Sequence, residues 1–154
     1  MSILLKRVFL LLLLFTYMAF IWIQSSHFNP EAVGVALSER MSMELVLLLG
    51  MGFELAHLFE FGVLYLLIII VFLSFGELTK WMEGIAFSVA FFYGVMDELH
   101  QMYVPYRSAS IMDLIKNTIG IIAAWWIIQK YYIQNQNAWF GRTLRKITQS
   151  ARGN

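Results

Sequence analysis

Four apolar stretches, each near the roughly 20 residues that a bilayer core demands, constrain this chain more than any other feature. They run from about Val8 to Ile23, Leu55 to Phe75, Glu83 to Met96 and Ile111 to Ile128. A backbone in hydrocarbon must satisfy its own hydrogen bonds, so these stretches predict an all-α polytopic membrane protein built as a four-helix bundle. The purely apolar part of the third is short, and it reaches membrane length only by borrowing from the polar run that follows it. Composition agrees, because 60% hydrophobic residues, 14% charged residues and a mean hydropathy of +0.68 lie far from a soluble domain. No linker-like run or internal repeat divides the chain. One transmembrane domain over residues 1–130 and a basic tail over residues 131–154 are therefore expected. The lack of cysteine excludes disulfides, thiolate nucleophiles and thiolate metal ligands.

Shorter signals surround the four stretches. Leu45 to Leu49, ended by Gly50 and Gly52, is too short to span and either lies at the interface or lengthens the second helix. The first stretch outruns a signal-peptide core, contains Trp22 and offers no small-x-small cleavage site, so it reads as an uncleaved anchor. Asn29-Pro30-Glu31 combines an N-cap, a proline at the first helical position and an acid in the first turn. Val33, Ala36, Leu37 and Met41 follow at helical spacing, which predicts a short amphipathic helix on the outer surface. In the tail, Phe140, Leu144, Ile147 and Ala151 share one helical face, and Arg142, Arg145, Lys146, Gln149 and Arg152 take the other. That pattern fits a cationic amphipathic helix on the anionic inner leaflet, or a disordered basic tail; neither calls for nucleic acid.

Basic residues give the orientation. With four spans, Lys6, Arg7, Lys80, Lys130, Arg142, Arg145, Lys146 and Arg152 fall on one side, against Arg40, Arg107 and Lys116 on the other. The richer side is cytoplasmic by this rule, which places both termini inside and makes the chain a multi-pass protein. The unusual polar residues then face outward.

Most of those residues lie between Asp97 and Asn117: Asp97, Glu98, His100 and Gln101, then Pro105 and Arg107, then Asp113 and Asn117. Ionisable groups next to lipid are expensive and mark functional sites more often than structural ones. Asp97, His100 and Gln101 share a helical face at i, i+3 and i+4. Asp113 and Asn117 begin a stripe that continues through Gly120 and Ala124, small residues that suit close helix packing. Glu54, His57 and Glu60 form a third polar set, beside Phe61, at the outer end of the second helix. His57 and His100, with Asp97 and Glu98, are the acid-base candidates, and Arg107 is a bidentate anchor for phosphate or carboxylate. Each also has a structural reading: His57 as a packed histidine, Asp97 and Asp113 as caps or partners of Arg107 and Lys116, Asn117 as interhelical glue. Asp97, Glu98 and Asp113 would suit a hard divalent ion, but no HExxH-like spacing accompanies them, so no cofactor or metal is expected.

The run MDELHQMYVPYRSASIMDLIKNTIG resembles the signature of the VanZ-like family, roughly Asp-Glu-x-x-Gln, Pro-Gly-Arg, a small-residue turn and Asp-x-x-x-Asn-x-x-Gly. Asp97, Glu98, Gln101, Pro105, Arg107, Asp113, Asn117 and Gly120 match it, and His57, Glu60 and Phe61 match the family's earlier motif. Tyr106 stands where the family usually has glycine, and Phe53-Glu54 where many members have a basic pair. The resemblance implies a protein at the outer face of the bacterial plasma membrane, near membrane lipids and lipid-linked wall precursors, and associated with raised resistance to the glycopeptide teicoplanin. Glu60, Gln101, Arg107, Asp113 and Asn117 become the candidate substrate-binding set. Two classes fit: a binding or accessory protein that occupies or reorganises envelope lipids, and a membrane enzyme with Arg107 as anchor and His57, His100 and Asp97 as acid-base groups. A transporter fits poorly without a repeat, and assembly into oligomers stays open.

Overall fold

The computed structural model describes residues 2–27, 42–105, 107–135 and 137–152, apart from the side chains of Leu49, Phe53, Glu54 and His57. Among these residues every regular element is helical: α1 (Ile3–His27), α2 (Met43–Phe75), α3 (Lys80–Gln101), α4 (Ile111–Ile127) and α5 (Trp139–Arg152). A π-helical stretch, Ile128–Gln134, continues α4. The amphipathic helix expected after Asn29 lies outside the described residues.

Local chemistry explains the boundaries. The Leu45 to Leu49 piece lengthens the second helix, and α2 runs unbroken for 33 residues through Gly50 and Gly52 until Gly76, whose N–H closes the last turn on the Phe72 carbonyl. Thr79 caps α3 by accepting from the Met82 N–H, and Ser110 caps α4 by accepting from the Asp113 N–H. Among the described residues three stretches are long and apolar enough to cross a membrane: Ile3–His27, Leu58–Phe75 and Ile111–Gln134. The expected fourth, α3, has 22 residues and so is about 33 Å long at 1.5 Å per residue. It falls short on apolar content because Lys80, Glu83, Asp97, Glu98, His100 and Gln101 all belong to it.

Side-chain contacts fix an up-down-up-down arrangement. Arg7 near the start of α1 donates from Nε to the Ser74 carbonyl at the end of α2, 3.1 Å away, and Tyr17 further along reaches the Glu60 carbonyl at 3.2 Å. The Tyr93 hydroxyl of α3 donates to the Met18 carbonyl at 2.6 Å, and Ser26 at the end of α1 meets His100 at the end of α3. α2 supplies most of the core: Phe61, Leu64, Tyr65, Ile68, Ile69 and Leu73 are buried, against Ala86 and Ala90 of α3 and Ile121, Ala124 and Ile128 at the α4 side. α1 buries Leu14, Ile21 and Ser25 and packs Leu10, Leu11, Tyr17 and Met18 against the core. Its opposite face, with Leu4 at 72% and Phe15 at 62%, is exposed, as a lipid-facing surface requires.

Helices α2 and α4 touch backbone to backbone where two glycines cross. A Cβ at Gly120 would lie 1.9 Å from the Leu58 carbonyl oxygen, and one at Gly62 would lie 3.0 Å from the Gly120 carbonyl oxygen. The stripe Asn117, Gly120 and Ala124, read from the sequence as a packing face, is buried in this contact.

Lys6, Arg7 and Arg152 gather at the end of the bundle where α1 begins and α2 ends. Lys6 donates to the Ser150 carbonyl at 2.8 Å, Arg152 donates from Nε to the Leu73 carbonyl at 2.9 Å, and its Nη2 bonds to the Gly76 carbonyl. Arg7 and Arg152 thus cap the negative end of the α2 dipole from two other elements. The tail is a helix packed on α1, α2 and the π-helical stretch; its buried face is Gly141, Leu144, Thr148 and Ala151. Leu144 and Ala151 match the apolar face read from sequence, Phe140 is half-buried, and Ile147 stays 47% exposed.

Candidate functional site

The polar residues of the sequence cluster meet at the end of the bundle formed by the C-termini of α1 and α3 and the N-terminus of α4. α3 contributes Gly94, Asp97 and Gln101 on one face, all buried, with Asp97 wholly inaccessible. Gln101 donates from Nε2 to Asp97 Oδ2 at 2.9 Å, one helical turn apart. Gly94 lets α4 and α2 approach: a Cβ there would sit 3.3 Å from the Phe61 ring and 3.6 Å from Asn117 Nδ2. Asn117 therefore packs one turn below Asp97.

Glu98 has a different task. Its Oε2 accepts from the Ser110 N–H at 2.8 Å, which ties the end of α3 to the residue that caps α4. Asp113 sits in the first turn of α4 and pairs with Lys116 at 2.9 Å, the second of the two partners expected for it. Both are partly exposed, and their i,i+3 spacing makes this a local surface pair.

α1 closes the site from the side. Arg107 donates from Nη1 to the Ser25 carbonyl at 3.1 Å, Ser26 Oγ lies 2.7 Å from His100 Nε2, and Gln24 hydrogen-bonds to Glu60 Oε1. The Trp22 ring stacks on His100 with centroids 3.8 Å apart. Sequence reasoning missed Gln24, Ser25 and Ser26 as site residues. Their signal was there: three consecutive polar residues at the end of an otherwise apolar helix. His57 belongs to α2 one turn before Glu60 and Phe61, and its side chain lies outside the described residues, as do Tyr106 and the Glu54 side chain.

Several buried polar atoms here have no hydrogen-bond partner among the described residues: Ser25 Oγ, Gln101 Oε1, and both Oδ1 and Nδ2 of Asn117. Leaving a buried polar group unpaired costs about 1–3 kcal/mol, more than a fold gains from having it there. Asn117 is the sharpest case, because a valine, only slightly larger, would fill its place without that penalty. Among the described residues no group of three or more His, Asp or Glu side chains stands close enough to hold a metal ion.

The family model described as VanZ/LLP1 matches residues 4–133 of this chain, most of its length and all of the polar cluster. The chain belongs to the VanZ/LLP1 family. Together with the three apolar helices, this makes it a membrane protein of the VanZ family. The match covers α1 to α4 and nearly all of the π-helical stretch, and stops before α5. No curated protein and no solved structure matches the chain.

Proposed function

We propose that this VanZ-family protein is a multi-pass protein of the bacterial plasma membrane that binds the polar head of an envelope lipid or lipid-linked wall precursor at its outward end. In this reading α3 is the fourth span, residues 1–130 are the transmembrane domain, residues 131–154 are a cytoplasmic tail, and both termini lie inside. The Lys/Arg bias toward the α5 end supports that orientation. Ser25, Gln101 and Asn117 offer hydrogen bonds to the ligand, Arg107 holds its anionic group, and Glu60 and Asp113 border the site. Binding displaces or reorganises the lipid that teicoplanin depends on, and so raises resistance. No bound metal or other cofactor is invoked.

The observation that carries this reading is the set of buried, unpartnered polar atoms at Ser25, Gln101 and Asn117. Groups that cost stability when empty gain their partners when a polyhydroxyl or phosphorylated head enters. A binding role is favoured over an enzyme because the serine–histidine contact at the site is not set up for attack: the Ser26 hydroxyl donates to the Trp22 carbonyl at 2.7 Å and so accepts from His100, whose ring is stacked on Trp22. The enzyme reading keeps His57, Asp97 and Glu98 as its acid-base candidates. The test is to incubate the purified protein with a lipid-linked wall precursor and follow both retention and chemical change. Saturable binding with the precursor recovered intact is expected. Turnover that is lost in Asp97→Asn would establish the enzyme instead, and absence of both binding and turnover would remove the proposal.

A further inference from the structure

A second polar island lies at the other end of the bundle, where α3 begins and α4 ends. Glu83 accepts from Trp125 Nε1 at 3.0 Å and from Gln129 Nε2, both through Oε2, which bridges the two helices. Its Oε1 has no partner among the described residues. Beside the bridge runs a groove of about 710 Å³ with Lys80, Glu83 and Gln129 at its mouth and Phe87 and Ile122 along its length. A second groove, of about 450 Å³, leaves the same mouth on the other side of α3 along Trp81, Ile85 and Val89. Lys80 and Gly84 line both. Nothing lies within 4 Å of a Cβ built on Gly84, so the ridge between the grooves is low.

We infer that this mouth binds one diacyl phospholipid whose headgroup carries a primary ammonium, with its two chains in the two grooves. Lys80 and Glu83 stand at i and i+3 on one face of α3, a cation and an anion one turn apart. Lys80 meets the phosphate, and Glu83 Oε1 accepts from the ammonium, which has three N–H donors to give. A quaternary choline has none, and an anionic headgroup would meet the Glu83 carboxylate unfavourably. The neighbouring Trp81, Trp125 and Trp126 are interfacial in type, which puts the mouth at headgroup depth. The inference rests on the membrane reading alone and stands apart from whatever the outward cluster binds.

The experiment is native mass spectrometry of the delipidated full chain with phosphatidylethanolamine, phosphatidylcholine or phosphatidylglycerol of identical acyl chains. Phosphatidylethanolamine should be retained about tenfold better than the other two, the worth of one charge-assisted hydrogen bond. Glu83→Gln keeps an oxygen for Trp125 and Gln129 to donate to, and should erase the preference over phosphatidylcholine at unchanged melting temperature. Equal retention of phosphatidylethanolamine and phosphatidylcholine, tighter phosphatidylglycerol, or a preference that survives Glu83→Gln would each overturn the site. If Glu83→Gln also lowers the melting temperature, Gly84→Leu decides. It obstructs the mouth that the two grooves share without touching a charge, so lost retention in a folded protein supports the site and full retention refutes it.

Discussion

Arg107 is half-buried in the connection between α3 and α4 and reaches across to the Ser25 carbonyl at 3.1 Å, so it does more than decorate a loop. The sequence marks it as an anion anchor because a guanidinium grips phosphate through two parallel N–H bonds, which an ammonium cannot reproduce. Sequence spacing did not reveal the Ser25 contact, since it depends on where the end of α1 lies relative to a loop 82 residues away. The pairing of Asp113 with Lys116 was legible, because i,i+3 partners on one helix need no tertiary information. Arg107→Lys should keep the melting temperature in detergent within a few degrees and lower precursor binding at least about tenfold, the cost of one lost charge-assisted bond. Binding retained with lysine and a lower melting temperature for Arg107→Ala would make Arg107 a bundle strut only.

At the scale of elements, the crossing of α2 and α4 is a backbone-to-backbone joint closed by glycine. The small-residue stripe of α4 could be read from its spacing, but not which helix it meets, because a packing face carries no address for its partner. The structure supplies Gly62 and the Leu58 carbonyl. A methyl group at Gly120 would sit 1.9 Å from that oxygen, and backbone cannot yield as a flexible side chain can. Gly120→Ala should therefore destabilise the bundle by at least about 1–3 kcal/mol, read as a lower melting temperature, even though alanine favours helix. An unchanged melting temperature would mean that the two helices are further apart. α3 was the least legible of the long helices, and the reason is physical: a helix that buries Asp97, Glu98 and Gln101 against its neighbours no longer looks apolar in sequence. The docking of α5 was also illegible. Amphipathicity shows that one face seeks an apolar surface and does not distinguish a leaflet from the ends of α1 and α2.

For the whole molecule, charge and polarity are segregated along the bundle axis. Lys6, Arg7 and Arg152 meet at one end, while Asp97, Gln101, Asn117 and Arg107 gather toward the other. This polarity is readable from the Lys/Arg distribution of the sequence alone. In intact cells, a cysteine at exposed Ser108 should react with a membrane-impermeant maleimide, and one at exposed Gln149 should not. Labelling at residue 149 with protection at residue 108 would put the polar end in the cytoplasm. The central claim, that this end binds a ligand and does not merely hold helices together, comes down to Asn117, buried with neither side-chain oxygen nor nitrogen bonded among the described residues. The decisive measurement is precursor binding beside melting temperature for Asn117→Val. A binding site predicts that binding is lost while the melting temperature holds or rises, because an unpaired polar group has been replaced by an apolar one only slightly larger. Binding that survives the substitution, or a melting temperature that falls together with it, would contradict the account.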